Sequence, residues 1–393
     1  MNPGRPRDGH AVTRPGHWRP TRSVGPLVAL ALATGLLWFG GPAGVPRAAA
    51  VVDAPAEVQT ITLSRSFSPD QIVSAAGAAW LIGSMSVGSS APTCAIESVD
   101  RVTLQTELSK VPGCGADAAV GGRDIYLTDV AYVPDSNNEQ IRIERFDTRT
   151  RRAKVLSPVD LTLSGSAIAH TAMTYGDGWL WLWGYAAGTG HGVVVQISPS
   201  TGAVRRVLRG APAIGGTQPS MVVAGGGLWL VGGPGGSAVI DRLAGSARVP
   251  SVVYKAPSTS AVQWVAATGG RVWAEVATFR DKGTVTSFHL VSLSLANHQV
   301  LSTTAAEDLS EGEPVGTGNV LWAVGIGGTE CTDPLRLWRI DANTGTSEPV
   351  LRLLSLGQPC TAETSVAVSG RTVFVVVSGD SASPSPVLFS VTN

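Results

Sequence analysis

Gly178-Trp179-Leu180-Trp181-Leu182, then Val193-Val194-Val195-Gln196-Ile197-Ser198, the turn Ser198-Pro199-Ser200-Thr201-Gly202 and the run Ala203-Val204-Arg205-Arg206-Val207-Leu208 together decide the fold. A glycine opens an apolar strand that carries an aromatic near its start. A second strand follows, then a tight turn ending in glycine, then another strand. A glycine at the last turn position permits the positive φ that a hairpin needs. The opening recurs as Gly77-Ala78-Ala79-Trp80-Leu81-Ile82 and Gly122-Arg123-Asp124-Ile125-Tyr126-Leu127. It continues as Gly227-Leu228-Trp229-Leu230-Val231, Gly270-Arg271-Val272-Trp273, Gly318-Asn319-Val320-Leu321-Trp322 and Gly370-Arg371-Thr372-Val373-Phe374. These are seven copies, and from Trp80 to Phe374 the mean step is 49 residues. A period of that size marks a repeat architecture. The alternating runs from Ile141 to Asp147 and from Leu335 to Asp341, with their turns Asp147-Thr148-Arg149-Thr150 and Asp341-Ala342-Asn343-Thr344-Gly345, fill matching places. No part of the repeat sustains a 3.6-residue period with caps, so helices are expected to be rare. Four short antiparallel strands per period make one blade of a β-propeller.

The two ends complement each other. Strand signals lie around Ser365–Val368, Thr372–Val377 and Val387–Val391, and then the chain stops at Thr392-Asn393, where other copies have a hairpin turn. The missing strand is expected at Glu57-Val58-Gln59-Thr60-Ile61-Thr62-Leu63. The reading is an all-β, seven-bladed β-propeller of four-stranded antiparallel blades over residues 51–393, closed by the N-terminal strand joining the last blade. Such a ring leaves no open sheet edge between its ends.

The phrase Asp-x-x-Thr-Gly after an apolar strand resembles the secreted surface-layer (YVTN) and quinoprotein-like propeller repeats, over roughly residues 57–393. The resemblance implies the fold. It does not carry a function, because such families have diverse ones. WD repeats fit poorly, since no strand ends in Trp-Asp. Kelch repeats are hinted at only by Leu230-Val231-Gly232-Gly233. A quinoprotein dehydrogenase would need a regular Trp late in each blade, and only Trp338 comes near.

Residues 1–50 read as targeting rather than fold. Arg5, Arg7, Arg14, Arg19 and Arg22 precede an apolar stretch from Val24 to about Val45, and Arg47-Ala48-Ala49-Ala50 follows like a signal-peptidase site. The stretch is apolar enough to hold in a bilayer, so signal peptide and uncleaved signal anchor are both carried forward. Either way the body is expected outside the cytoplasm, secreted or anchored through this segment alone. The net charge of +0 hides an asymmetry: removing six arginines and one aspartate from 29 basic and 29 acidic residues leaves 23 and 28 in residues 51–393. A mildly acidic body argues against a phosphate-tracking nucleic-acid surface.

Cys94, Cys114, Cys331 and Cys360 all lie beyond the targeting segment, an even count that reads as disulfides in an exported chain. Four cysteines allow three pairings. Cys94 and Cys331 follow the aromatic strand, whereas Cys114 and Cys360 follow the fourth strand. Loops in those two places open on one face of a blade, so Cys94–Cys114 and Cys331–Cys360 are the expected bridges. Loops of 20 and 29 residues give roughly 3–4 kcal/mol each in the chain-entropy account.

Catalytic signatures are sparse. His170, His191, His289 and His298 show no H-x-H, H-x-x-x-H or H-E-x-x-H spacing, so no metal site is assigned. There is no G-x-S-x-G elbow, and the glycine-rich stretches lack a following helix and lysine. One constellation stands out. Counting back five to nine residues from each opening glycine gives Asp70, Asp117, His170, Gln218, Gln263, Glu313 and Glu363. In a propeller these sit at the mouth of the central channel. Converging there, they would suit a cation, water or a cationic small molecule, a divalent ion being the one cofactor they suggest. Against that, channel mouths are wet and tolerate any polar residue. Trp179, Trp181 and Trp183 alternate, which points all three to one strand face and into core packing.

Three functions follow. The first is an extracytoplasmic binding or scaffold module for a protein or cell-envelope partner, monomeric and without nucleic acid. The second is a channel-mouth enzyme resembling streptogramin lyases and lactonases, with His170 and Glu313 or Glu363 as its first candidates. The third is a sensor domain anchored by an uncleaved N-terminal helix.

Overall fold

The computed structural model describes residues 57–392 apart from 65, 87–91, 114–116, 133–138, 157–167, 187–191, 212–219, 233–238, 281–283, 327–332, 354–362 and 379–385. Residues 1–50, read as a signal or anchor, lie outside the described residues, as do Cys114, Cys331, Cys360, His191 and Gln218.

The aromatic openings become second strands, each paired between a first and a third strand. Blade 1 is β2 (Phe67–Ala75), β3 (Ala78–Met85), β4 (Thr93–Asp100) and β5 (Thr106–Lys110). Blade 2 is β6 (Ala118–Gly121), β7 (Asp124–Tyr132), β8 (Glu139–Asp147) and β9 (Arg152–Val155). Blade 3 comprises β10 (Ile168–Gly176), β11 (Trp179–Ala186), β12 (Gly192–Ile197) and β13 (Val204–Ala211). Blade 4 comprises β14 (Met221–Ala224), β15 (Gly227–Gly232), β16 (Val239–Ala244) and β17 (Ser251–Lys255). Blade 5 holds β18 (Ser260–Thr268), β19 (Arg271–Arg280), β20 (Thr284–Ser294) and β21 (Val300–Ala306). Blade 6 holds β22 (Val315–Thr317), β23 (Val320–Ile326), β24 (Leu335–Asp341) and β25 (Ser347–Arg352). Blade 7 is β26 (Glu363–Ser369), β27 (Thr372–Ser378) and β28 (Val387–Thr392), completed by β1 (Glu57–Ile61). No helix occurs among the described residues.

Closure is direct. β1 lies antiparallel on β28, with Val58 opposite Val391 and Ile61 opposite Leu388. The innermost strands then pack in sequence around a ring, β2 to β6 to β10 to β14 to β18 to β22 to β26 and back to β2.

Local chemistry accounts for the hairpins. Ala76 and Gly77 take φ of 50° and 80°, and Asp177 and Gly178 take 52° and 78°. Two consecutive left-handed residues make the primed turn whose twist matches the strands. At the turns after the third strand an aspartate does the work. Asp147 Oδ1 accepts from the Arg149 and Thr150 amides, both at 2.9 Å, and Asp341 Oδ1 accepts from Asn343 at 2.7 Å and Thr344 at 3.1 Å. Those amides hold both carboxyls below the ordinary aspartate range.

The core is a set of interfaces between blades. Tyr126, Ile141 and Ile143 of blade 2 meet Leu180, Leu182, Val193 and Val195 of blade 3, and Trp181 and Trp183 of blade 3 meet Leu228, Leu230 and Leu243 of blade 4. Six buried residues in a row along β12 show the consequence: strands in the middle of a blade are covered on both faces. The alternation of Trp179, Trp181 and Trp183 therefore marks one interface, with Trp183 fully buried.

Candidate functional site at the channel mouth

The seven polar residues fall on the innermost strands in two patterns. In blades 1, 3 and 5 the first strand has nine residues and is bulged. The register slips between Pro69 and Gln71, between Ala169 and Ala172, and between Val262 and Trp264. Asp70, His170 and Gln263 sit at those three bulges. A bulge leaves its extra residue unpaired and bends the strand. In blades 2 and 6 the first strand is short, and Asp117 and Glu313 lie just ahead of it. Glu363 begins β26, and Gln218 lies outside the described residues.

The bulges also free backbone amides, and the preceding blade captures them. Ser365 Oγ accepts from Ile72 N at 3.1 Å, and Ser220 Oγ accepts from Val265 N at 3.0 Å. Asp117 Oδ2 accepts from Met173 N in the same manner. Asp117 thus stitches blade 2 to blade 3, a structural duty that serine performs elsewhere in the ring. Its Oδ1 accepts from Ala118 N at 2.9 Å, and Gln71 of blade 1 bonds its carboxyl.

The electrostatics of the mouth are one-sided. Burial pushes Asp117 well above the ordinary carboxylate range, and the charge of Glu313 adds to it. Blades 2 and 6 stand almost opposite in a seven-blade ring, so this interaction spans the channel. Glu313 is raised by burial to about 7. Asp70 is raised by burial and then by Glu363 in the neighbouring blade. Asp70 and Glu313 keep contact with water while protein surrounds them, and desolvation of that kind favours the neutral acid. Among the described residues no basic side chain offsets the shifts of Asp70, Asp117 and Glu313. Among the described residues no group of three or more His, Cys, Asp or Glu side chains is placed to hold a metal ion.

Sequence reasoning missed a second set of acids. Glu97 is fully buried on β4, where its Oε1 accepts from Ser64 N at 3.2 Å and Ser64 Oγ at 2.6 Å. Glu144 holds the equivalent place on β8 and accepts from the Gly113 amide. Each anchors the segment that leads into its own blade. Asp241 on β16 is their counterpart, since Glu97, Glu144 and Asp241 lie opposite Leu81, Leu127 and Leu230. In blade 5 the acid is on the second strand. Glu275, fully buried, accepts from Leu309 N at 2.8 Å and so hooks the linker into blade 6. Burial, then the neighbouring Asp308, drives its carboxyl well above the ordinary range. Aligning the copies on their aromatics would have exposed the shared third-strand acid.

No known family profile and no curated protein matches the chain. Solved structures do. A prolyl endopeptidase superposes with a TM-score of 0.55 at 14% identity, covering 83% of this chain and 48% of that one. The β-propeller domain of the Trilobed protease from Pyrococcus furiosus, described as having an open velcro topology, gives 0.55 at 9% identity, covering 84% and 94%. Pyrococcus horikoshii acylaminoacyl peptidase gives 0.52 at 8% identity, covering 79% and 49%. The chain thus spans about half the length of two of these three proteins. At such identities likeness speaks for fold alone. The topology and the likeness agree that this chain is a seven-bladed β-propeller, and its own strand pairing, β1 on β28, shuts the ring.

Proposed function

We propose that this chain is an exported binding module whose channel mouth receives a cationic group of its ligand, such as a lysine or arginine side chain of a protein or envelope partner. The observation that carries the reading is the pairing of Glu313 with Asp117 across the channel, with Asp70 and Glu363 as a second acidic pair and, among the described residues, no basic side chain offsetting them. A cation there would relieve repulsion between the acids and recover favourable Coulomb energy in a partly desolvated site. Export is supported by the basic and apolar segments of residues 1–50. Bridges Cys94–Cys114 and Cys331–Cys360 belong to the same proposal. The first is favoured by the bond from Val111 N to Cys94 O at 3.1 Å, which brings the chain ahead of Cys114 alongside Cys94, and no described cysteine is a free thiol.

The test is calorimetric titration of the full chain with a short lysine- and arginine-rich peptide at low and moderate salt. Glu313→Gln and Asp70→Asn are each expected to weaken binding by about tenfold. Parent-like affinity in both variants would remove the reading. One observation favours a second one: a carboxyl raised to about 7 sits where a general acid or base works near neutral pH. A lyase or lactonase using Glu313 with His170 would follow, and turnover of a lactone lost in both Glu313→Gln and His170→Ala would establish it.

A further inference from the structure

Charge is unevenly shared around the ring. Residues 178–274, which supply β11 to β18, hold seven basic side chains and a single acid, Asp241. The rest of residues 51–393 holds sixteen basic and twenty-seven acidic side chains. Asp241 is buried on β16, and burial raises its carboxyl above the ordinary range. It therefore adds little negative charge to the surface of blades 3 and 4.

Two guanidinium groups on that surface are unspent. Arg206 of β13 donates to Gly245 O at 2.8 Å and to Ala247 O at 3.2 Å, in the turn after β16. Those bonds hold the turn, in which Arg248 and Val249 come next, against the outer strand of blade 3. Arg205 lies beside Arg206, 4.3 Å from the Trp179 ring. Burial, and then the charge of Arg205, lower the Arg206 guanidinium below its ordinary range. Arg205 and Arg248 form no ion pair among the described residues, and Asp177, in the turn ahead of Trp179, pairs with neither. Apolar surface gathers at the same place. Nine large hydrophobic side chains are exposed among the described residues, and four of them are Val204 and Val207 of β13 and Val249 and Val252 of blade 4. β13 is the outermost strand of its blade and pairs with β12 alone, so one row of its backbone donors and acceptors is open to pairing. Trp179 opens β11 directly after the turn from β10, and His170 lies near the other end of β10. The surface therefore stands at the end of the ring away from the channel mouth. The turns of blades 3 and 4 at that end, 177–178, 198–203, 225–226 and 245–250, are all described.

We infer that the rim of blades 3 and 4 docks an extended, acidic segment of a partner polypeptide. Its carboxylates take the N–H edges of Arg205 and Arg248, its apolar side chains cover the valines, and its backbone adds to the open edge of β13. A guanidinium lying on an indole keeps its N–H edge turned outward, and that edge matches a carboxylate with two parallel hydrogen bonds. A carboxylate there also relieves the repulsion between Arg205 and Arg206. The excess of acid on the rest of the ring repels such a segment and so directs it to blades 3 and 4. Exposed valines set the surface apart from one built for a bare polyanion, which gains nothing by covering them. This surface is separate from the acidic channel mouth and opposite to it in charge.

The experiment follows the fluorescence anisotropy of three short labelled peptides with the full chain. One alternates glutamate with valine, one glutamine with valine, and one glutamate with serine. The glutamate–valine peptide is expected to bind about tenfold more tightly than either of the others, and to weaken as salt is added. Arg205→Gln and Arg248→Gln should each lose about fivefold, and Val252→Ser about threefold. All three side chains are exposed, so parent-like melting is expected throughout. Glu313→Gln should bind the peptide like the parent, which separates this surface from the channel mouth. No binding, equal binding of the glutamate–valine and glutamine–valine peptides, or parent-like affinity in either arginine variant overturns the inference. Equal binding of the glutamate–serine peptide, or unchanged affinity in Val252→Ser, marks a surface for any polyanion and overturns it too.

Discussion

Replacing Ile61 with alanine tests what holds the ring shut. Four of the five β1 residues are exposed, and Ile61 alone is buried, at 7%. It faces Leu388 and packs with Phe374 and Val376 of blade 7 and with Phe67, Ile72 and Leu81 of blade 1. The ladder bonds of β1 are each worth about 1 kcal/mol net, and ordering each residue costs about 1–2 kcal/mol, so the two nearly cancel. What remains is the side chain that pins blade 7 to blade 1. Truncating a buried isoleucine costs about 2–5 kcal/mol. Val58→Ala, at 41% exposure, should cost no more than about 0.5 kcal/mol. Urea denaturation of the parent and both variants gives the energies. Native-state hydrogen exchange at β28 reports whether β1 lifts away before global unfolding. Ile61→Ala should lower stability by the larger amount and speed exchange at the β28 amides that face β1. Equal costs for the two variants, or unchanged β28 exchange in Ile61→Ala, would refute the reasoning.

Two further outcomes are expected. The Glu313 carboxyl, ordinarily at 4.5, stands at about 7 in the folded chain, so its stabilising effect is full below about pH 4.5 and is lost as pH rises through 7. Asp70 and Asp117 shift in the same direction. Melting temperature should fall from pH 5 to pH 8, and Glu313→Gln should flatten that fall; an unchanged slope counts against the channel electrostatics. Gly325→Ala should destabilise by about 1–3 kcal/mol or more, because its Cβ would lie 1.8 Å from Asp308 O and 2.7 Å from Leu309 Cα, backbone that Glu275 holds in place. An unchanged thermal melt would show that this linker yields.

Sequence alone determined the repeat, and with it the fold. Glycine turns, one aromatic per copy and Asp-x-x-Thr turns are local chemistry, legible without knowing what lies across a sheet. Ring closure was legible too, because the last copy shows only three strand runs and the run Glu57–Leu63 stands ahead of the first full copy. The channel residues were legible as positions, but the register slips that put Asp70, His170 and Gln263 at bulges leave no mark in composition. The buried acids were not legible from alternation. An acid between apolar residues, as at Glu97 or Glu144, reads as solvent-facing in a strand with one wet side. Here both faces of β4 and β8 are covered by neighbouring blades, and only the ring decides that.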